Sequence, residues 1–204
     1  ACNNIATFMR QGHGIASNPE QEIALLSGSC NGGVGMACAN LASLYTLGPP
    51  YRLDLAEARR LFERGCSLES ASACFGLGDF LDPNHGKAPE RAAAIAAYER
   101  ACGMNLGEAC FNLAGVYYVT KNAVNDTPRA LTYYHRACDT LAFGTACRVL
   151  AEDQWANDGM SMAVTRRYQQ ACSLGDSASC ASTNLAALVG IGRPVTQAQS
   201  IAGK

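Results

Sequence analysis

Small and apolar residues recur along the chain at helical spacing. An alanine is followed four residues later by an aromatic residue, and three residues after that by a small residue. Spacings of four and three place these side chains on one face of a helix. The clearest sets are Ala58, Phe62 and Gly65; Ala94, Tyr98 and Ala101; and Ala130, Tyr134 and Ala137. The pattern predicts a series of helices that each bury one face.

A second pattern follows each of these helices. An alanine or serine precedes a cysteine, and a leucine and a small residue come three and four positions after that cysteine. The pattern predicts a second helix, whose small residues allow close approach to its neighbours. Its members are Ala37-Cys38 with Leu41-Ala42, Ala73-Cys74 with Leu77-Gly78, Ala109-Cys110 with Leu113-Ala114, and Ala146-Cys147 with Leu150-Ala151.

Cysteine is unusually frequent, with 11 residues in a chain of 204. From Cys30 onward the cysteines form pairs with seven residues between them, except Cys138 and Cys147, which have one more. The first cysteines recur every 36, 36, 36 and 34 residues, the length of a two-helix repeat. One cysteine ends the first helix and the next begins the second, so their Cα atoms come close enough to be bridged. We predict the disulfides Cys30–Cys38, Cys66–Cys74, Cys102–Cys110, Cys138–Cys147 and Cys172–Cys180.

Helix start and stop signals agree with this repeat. Asn18-Pro19 and Asp126-Thr127-Pro128 are N-terminal signals, and Gly12, Gly48 and Gly190 stand where second helices should end. The chain is therefore predicted to be a single repeat domain over 1–204. Its parts are a half-repeat at 1–17, repeats at 18–49, 50–84, 85–122, 123–158 and 159–192, and a partial capping helix at 193–204.

The repeat predicts the architecture. One pair of helices cannot bury its apolar face alone, so pairs stack and each contacts its neighbours. The predicted fold class is all-α, a right-handed α/α superhelix (solenoid) of disulfide-bridged helix-turn-helix repeats.

Charge and motifs exclude several functions. The net charge of −1 supplies no field for nucleic acid, and no apolar run is long enough for a membrane span. Structural zinc sites favour closer cysteine spacings, so neither a metal nor a cofactor is expected. The redox motif C-x-x-C, the S-x-x-K motif, the nucleophile elbow and the Walker A loop are absent. We therefore assign no catalytic residue.

Cys2 has no partner in the pairing scheme. The segment Ala1 to Ala6 aligns with Ala37 to Ala42, which makes residues 1–12 the second helix of a preceding repeat. Cys2 is then unpaired because its partner would lie upstream. The other interpretation is that Ala1-Cys2 ends a lipobox and that Cys2 is lipidated.

The repeats and the turns between them resemble the Sel1-like repeat, a relative of the tetratricopeptide repeat. Gly12-His13-Gly14-Ile15 and Gly190-Ile191-Gly192 match the glycine core of its inter-repeat signature, and Val124-Asn125-Asp126 is a degraded version. The paired cysteines are similar to those of the Helicobacter cysteine-rich protein family, whose repeats each carry one internal disulfide. This resemblance covers essentially the whole chain.

The resemblance implies a scaffold that binds a protein or peptide. Two alternatives come from the same relatives: a penicillin-binding protein with weak β-lactamase activity, and a periplasmic immunity protein against a secreted toxin. Such cysteine usage fits an oxidising compartment, so the chain is expected to be periplasmic or secreted. The oligomeric state stays open.

The expected binding surface is the concave groove. In tetratricopeptide-like solenoids the first helix of each pair lines that groove. Positions seven and three residues before each first cysteine then border it. With Tyr133 as an aromatic anchor, the predicted groove residues are Arg59, Glu63, Ile95, Glu99, Leu131, Tyr133, His135, Thr165 and Gln169. Tyr118 and Trp155 are either further anchors or contacts between repeats.

Overall fold

The computed structural model describes residues 18–84, 86–87, 89–118 and 126–188, with side chains up to residue 182. Cys2, the half-repeat 1–17, the capping helix 193–204, Gly190 and His85 lie outside the described residues.

The described residues form pairs of helices without strands. Each of the five segments from 18–49 to 159–192 holds one pair. The helices are α1 (Pro19–Asn31), α2 (Gly35–Leu44), α3 (Leu55–Ser67), α4 (Ala71–Leu81), α5 (Arg91–Gly103), α6 (Gly107–Tyr118), α7 (Thr127–His135), α8 (Gly144–Asp158), α9 (Met162–Ser173) and α10 (Ser177–Leu188).

Side-chain caps begin several of these helices. The Asn18 side chain accepts a hydrogen bond from the backbone N–H of Gln21, with Pro19 at the first helical position. Asp126 accepts one from the N–H of Arg129. These caps satisfy backbone donors that the helix itself leaves unpaired. Gly48 has a φ of +74° in the turn that follows α2, a left-handed conformation that glycine adopts readily.

All five predicted disulfides are present. Their Cα–Cα distances lie between 4.5 and 4.8 Å. Each bridge closes a tight turn that contains a residue with positive φ, such as Gly33 (+86°), Glu69 (+56°) or Gly175 (+92°). This left-handed residue reverses the chain so that the second helix can return along the first.

The extra residue between Cys138 and Cys147 lies in a π-helical turn, Arg136–Thr140, at the end of α7. The N–H of Leu141 donates to the carbonyl of Arg136, five residues earlier, at 3.1 Å. A π turn accommodates one additional residue without breaking the helix. The Cys138–Cys147 bridge therefore forms in the same place as the others.

Close helix approach depends on small residues. A Cβ atom on Gly65 would lie 2.6 Å from Ala73 Cβ and 2.7 Å from the carbonyl oxygen of Gly35. Gly65 is therefore the contact point of α3 with both α4 and α2. The aromatic residues of the first pattern fill the adjacent space, where Phe62 and Tyr98 are 5% and 0% exposed.

The packing divides the chain into two compact units, residues 1–130 and 131–204. In the first unit α2 packs against α3, α3 against α4, and α4 against α5, and the second helices α2 and α4 also contact each other directly. In the second unit α9 packs between α8 and α10. None of the described helices is long and apolar enough to cross a membrane.

Candidate functional site

A cleft of about 350 Å³ opens between the second helices of the first two repeats. It lies wholly within the first unit. One wall is α2 with the turn after it, the other is α4, and residues 86–87 form one end. The lining residues are Ala39, Asn40, Ser43, Thr46, Phe62, Ser72, Phe75, Gly76, Asp79, Phe80, Gly86 and Lys87.

The cleft combines aromatic and polar surface. Phe62 and Phe80 are nearly buried, with ring centroids 6.0 Å apart, while Phe75 is partly exposed. Gly76 lies directly against the Phe62 ring, so a Cβ atom there would collide with the ring. Without a side chain at position 76, the cleft stays open over its aromatic floor.

The hydroxyl groups on the α2 side of the cleft are available to a ligand mainly as acceptors. Ser43 donates its proton to the carbonyl of Ala39 at 3.0 Å, and Thr46 donates to the carbonyl of Ser43 at 2.7 Å. Because each hydroxyl has one proton and two lone pairs, the lone pairs remain for other donors. This side of the cleft therefore accepts hydrogen bonds more readily than it donates them.

Asp79 places a fixed carboxylate in the opposite wall. Its Oδ1 accepts hydrogen bonds from the Tyr98 hydroxyl at 2.8 Å and from Asn112 Nδ2 at 3.0 Å. Tyr98 and Asn112 belong to the next repeat, on α5 and α6. The carboxylate is therefore oriented by donors from two further helices.

Tyr98 is suited to hold that carboxylate. Burial is the largest cause that raises its pKa well above the usual range, and the negative charge of Asp79 adds to the effect. The phenol therefore keeps its proton and remains a donor. Its oxygen also lies 3.2 Å from Oδ2 of the buried Asp82, whose Oδ1 accepts from the N–H of Asn84 at 2.7 Å. With one proton, the phenol makes its shorter hydrogen bond to Asp79.

The predicted groove residues of the first helices do not line this cleft. Arg59 instead bridges two repeats: its guanidinium contacts Glu90 at 2.5 Å, and also Glu63 of its own helix at 2.8 Å. Hydrogen bonds to Glu90 and Glu63 raise the pKa of Arg59, and the same contact lowers the pKa of Glu90. Arg59 and Glu63 are thus committed to an ion-pair cluster at a repeat boundary.

Thr165 is buried and does not belong to the predicted binding surface. It is only 4% exposed, and its hydroxyl donates to the carbonyl of Ser161 at 3.0 Å. The first turn of α9 turns this position toward the interior. Ile95 is partly exposed, and Glu99 and Gln169 are exposed, but none of the three lines either of the pockets described here.

Two of the predicted groove residues line a common pocket in the second unit. Leu131 and His135 line a pocket of about 310 Å³ with Leu150, Asp153, Gln154, Asn157, Asp158 and Arg167. Tyr133, on the same helix, is partly exposed and does not line it.

Asp139 lies beside this pocket. Its carboxylate is 2.8 Å from His135 Nδ1 and 2.9 Å from the Arg167 guanidinium. Burial acts to raise the pKa of Asp139, but the hydrogen bonds from His135 and Arg167 outweigh it, so the pKa lies below its usual value. His135 is therefore hydrogen-bonded to Asp139 rather than standing free.

The exposed aromatics share one position. Tyr118 and Trp155 each lie eight residues after the second cysteine of their repeat, and they are 44% and 46% exposed. Thr46, in the same position of the first repeat, lines the cleft. Tyr117 and Tyr134 are buried, as their register predicts.

The described residues contain no group of three or more His, Cys, Asp or Glu side chains placed to hold a metal ion. The cleft hydroxyl of Ser43 donates to a backbone carbonyl and not to a base. Nucleophilic catalysis needs a hydroxyl paired with a general base, so Ser43 is not arranged for that chemistry.

The sequence patterns did not single out the cleft residues Asn40, Ser43, Phe75 and Asp79. A signal for them was present. The buried leucine and small residue lie three and four positions after the second cysteine. Positions one, two and five after the same cysteine therefore fall on the opposite face of the second helix. Those positions hold Asn40, Ser43, Phe75 and Asp79 in the first two repeats, and Asn112 in the third.

Neither a family model nor a curated protein matches the chain by sequence. Solved structures do match it. A protective antigen of uropathogenic Escherichia coli with an SLR fold superposes with a TM-score of 0.73 at 21% identity, over 94% of this chain. The chain spans 41% of that protein's length.

Two further matches are a Sel1 repeat protein from Oxalobacter formigenes and cysteine-rich protein B of Helicobacter pylori. The first has a TM-score of 0.74 and 18% identity, covering 98% of this chain and 81% of its own. The second has a TM-score of 0.50 and 24% identity, covering 64% and 95%. The chain therefore has the fold of Sel1 repeat proteins, and the predicted fold class of an α/α solenoid with bridged helix pairs is confirmed.

Proposed function

We propose that this chain is an exported scaffold that binds a segment of a partner protein in the cleft between its second helices. The observation that carries the proposal is the cleft itself, about 350 Å³ and lined from two repeats by aromatic rings, hydroxyls, an amide and a carboxylate. Binding sites of this size combine apolar walls with a few oriented polar groups.

The amide groups of the second helices favour a peptide as the ligand. Asn40 and Asn112 each follow the second cysteine of their repeat by two residues, and both are partly exposed, although Asn112 Nδ2 already donates to Asp79. A side-chain amide has donors and an acceptor, as a peptide bond does, so it suits an extended backbone. The same position holds Gly76 in the second repeat, so the amide occurs in the first and third repeats.

Export is supported by the disulfides. Five bridges in one chain are typical of proteins that fold in an oxidising compartment. The periplasm and the extracellular space both meet this condition. The immunity-protein and β-lactam alternatives stay predictions from the resemblance, because no contact in the cleft favours either one.

A site-specific photo-crosslinker tests the proposal. Benzoylphenylalanine replaces Ser43 in the cleft or, as a matched control, the exposed Glu63 on the first helix of the second repeat. Both proteins are illuminated with the envelope and secreted fractions of the source cells. We expect a discrete protein adduct from position 43 and none from position 63. Adducts only from position 63, or none from either, would contradict the proposal.

A further inference from the structure

The pocket of the second unit combines apolar surface with polar groups from one helix face. Its volume is about 310 Å³, and its lining residues belong to α7, α8 and α9. The α8 wall consists of positions 150, 153, 154, 157 and 158, which share a face because they are spaced by three and four residues. Leu150 is nearly buried, and the polar side chains that follow it on this face are more exposed.

The charges of this pocket do not cancel. Arg167 is paired with Asp139 at 2.9 Å, and His135 Nδ1 lies 2.8 Å from the other oxygen of the same carboxylate. Within the part of the chain that the structure describes, the side chains of Asp153 and Asp158 make no hydrogen bond or ion pair. Two carboxylates that line the pocket are therefore left without a compensating charge.

The position of Asp158 adds to this excess of negative charge. Asp158 is the last residue of α8, and the last turn of this helix contains no basic residue. The C-terminal end of a helix carries a partial negative charge from its unpaired carbonyl groups, so a carboxylate is unfavourable there and a cation is favoured. The folded chain thus retains a repulsive arrangement that a bound cation would relieve.

The remaining lining groups narrow the choice of cation. Asn157 Nδ2 donates to the carbonyl of Asp153 at 2.9 Å, which leaves the Asn157 amide oxygen as an acceptor. An ammonium group has three donors and suits several separate acceptors, whereas a guanidinium favours a coplanar carboxylate or an aromatic face. The described residues that line the pocket include no Phe, Tyr or Trp. Leu131 and Leu150 offer apolar surface to the carbon chain of a lysine.

We propose that the pocket lined by α7, α8 and α9 binds a lysine side chain of a partner protein, with its ammonium group paired to Asp153 and Asp158. The carbon chain of the lysine lies along Leu131 and Leu150, and the amide oxygen of Asn157 accepts a further N–H. Both carboxylates belong to α8, a second helix. The site lies in the second unit and uses no residue of the cleft, so this inference goes beyond the scaffold proposal and does not rest on it.

Small probes test this assignment on the intact chain. The backbone amide resonances of Gln154 and Gly159 are followed by NMR during titration with N-acetyl-lysine amide and with its neutral analogue, in which the side-chain amine is acetylated as well. We expect the lysine probe to shift both resonances and to bind about fivefold or more tightly than the neutral analogue, because the two carboxylates attract only the charged form. Equal binding of the two probes, or unmoved resonances at high lysine concentration, would overturn the proposal.

Two further probes test the kind of charge. N-acetyl-arginine amide carries the same charge on a planar group, and N-acetyl-glutamate amide carries the opposite charge. We expect the arginine probe to bind more weakly than the lysine probe, and the glutamate probe to leave both resonances in place. Tighter binding of either one than of lysine would contradict the assignment.

Variants locate the charge that matters. The double variant Asp153→Asn and Asp158→Asn should abolish the preference for lysine over its neutral analogue. Glu152→Gln is the matched control, because it removes one negative charge from the same helix at a carboxylate that pairs with Arg148 at 2.7 Å and does not line the pocket. We expect the control to keep the preference. An unaltered preference in the double variant, or its loss in the control, would overturn the proposal.

Thermal unfolding distinguishes a binding role of Asp158 from a structural one. Because Asp158 stands at the negative end of α8, the variant Asp158→Asn should keep or raise the midpoint of thermal unfolding of the free protein. The lysine probe should raise the midpoint of the parent more than that of the double variant, since a ligand stabilises only the protein that binds it. A lower midpoint in Asp158→Asn, or equal effects of the probe on both proteins, would contradict the proposal.

Discussion

At the scale of single residues, hydrogen bonds between repeats determine which groups are available for binding. Asp79 receives donors from Tyr98 and Asn112 of the next repeat, and it also lines the cleft. Arg59 is held by Glu63 and Glu90 at a boundary between repeats. The same kind of contact thus orients Asp79 within a cavity and confines Arg59 to the surface of the stack.

Replacing Tyr98 with phenylalanine tests the orientation of Asp79. The variant removes the hydroxyl that donates to the Asp79 carboxylate. We expect the free energy of unfolding to fall by about 1–3 kcal/mol as a result. We expect the midpoint of urea unfolding to fall accordingly. Tyr168→Phe is the matched control, because within the described residues its buried ring shows no hydrogen bond from the hydroxyl. An equal loss in both variants would contradict the role given to Tyr98.

The lowered pKa values of two aspartates in the second unit indicate how its stability depends on pH. The pKa of Asp139 is lowered by hydrogen bonds from His135 and Arg167, which outweigh burial. The pKa of Asp176 is lowered by hydrogen bonds from Ser179 and Arg148 against the same opposing effect of burial. A carboxylate with a lowered pKa in the folded state stabilises the fold above its unfolded value of about 3.9, and this stabilisation is lost as the pH falls further.

We therefore expect the free energy of unfolding to decrease as the pH falls below about 4. The double variant Asp139→Asn and Asp176→Asn should flatten this decrease, measured by urea unfolding from pH 6 to pH 2.5. Asn at position 176 preserves an acceptor for the helix N-terminus, so the cap is retained. An unchanged pH dependence would show that other groups are responsible.

At the scale of helices, close approach explains why small residues recur. Gly65 stands where α3 meets α2 and α4, and the surrounding atoms include the backbone oxygen of Gly35. Backbone cannot move aside as a flexible side chain can. The helix pattern in the sequence predicted this face correctly, since Ala58, Phe62 and Gly65 are all buried.

Two glycine substitutions should have opposite effects. Gly65→Ala introduces a methyl group into a filled contact, and we expect a loss of about 1–3 kcal/mol of stability. Gly28→Ala, in the interior of α1 with no atom within 4 Å of the added Cβ, should gain about 0.5–1 kcal/mol. Thermal and urea unfolding of both variants provide the comparison. A stabilising Gly65→Ala would contradict the helix packing described here.

Sequence spacing predicted the helix pairs and their bridges because both depend on contacts close along the chain. It did not locate the cleft, because the position of the cleft depends on distances between repeats. Spacing cannot tell which helix of a pair meets its counterpart in the next repeat. In the first unit the second helices α2 and α4 meet and enclose the cleft. Thr165 shows the same limit, because a hydroxyl at a position predicted to be exposed is buried beside Ser161.

The π turn at Arg136–Thr140 is another feature that the sequence did not locate. The sequence shows one extra residue between Cys138 and Cys147 but not where it is accommodated. The structure places it before the left-handed residue Ala142, which has a φ of +55°. The turn after the insertion therefore keeps the geometry of the other repeats.

At the scale of the whole molecule, the disulfides add stability to a fold built from stacked helix pairs. Each repeat buries its residues mainly against its neighbours, and a bridge restricts the unfolded chain at every repeat. A nine-residue loop corresponds to about 2.5 kcal/mol in the chain-entropy description.

Removing one bridge tests this contribution. The double variant Cys66→Ala and Cys74→Ala should lower the free energy of unfolding by about 2–3 kcal/mol. Urea unfolding of the variant and of the oxidised parent measures the difference. A loss below about 0.5 kcal/mol would show that packing alone stabilises this repeat.

The central claim is that a partner binds the second helices and not the first. Its most direct test is NMR mapping of the backbone amides during titration with the crosslinked partner, or with the peptide segment recovered from the adduct. We expect the largest shifts at Asn40, Ser43, Gly76 and Asp79, with Glu63 and Glu99 unchanged. Shifts concentrated at Glu63 and Glu99, with the cleft amides unmoved, would contradict it.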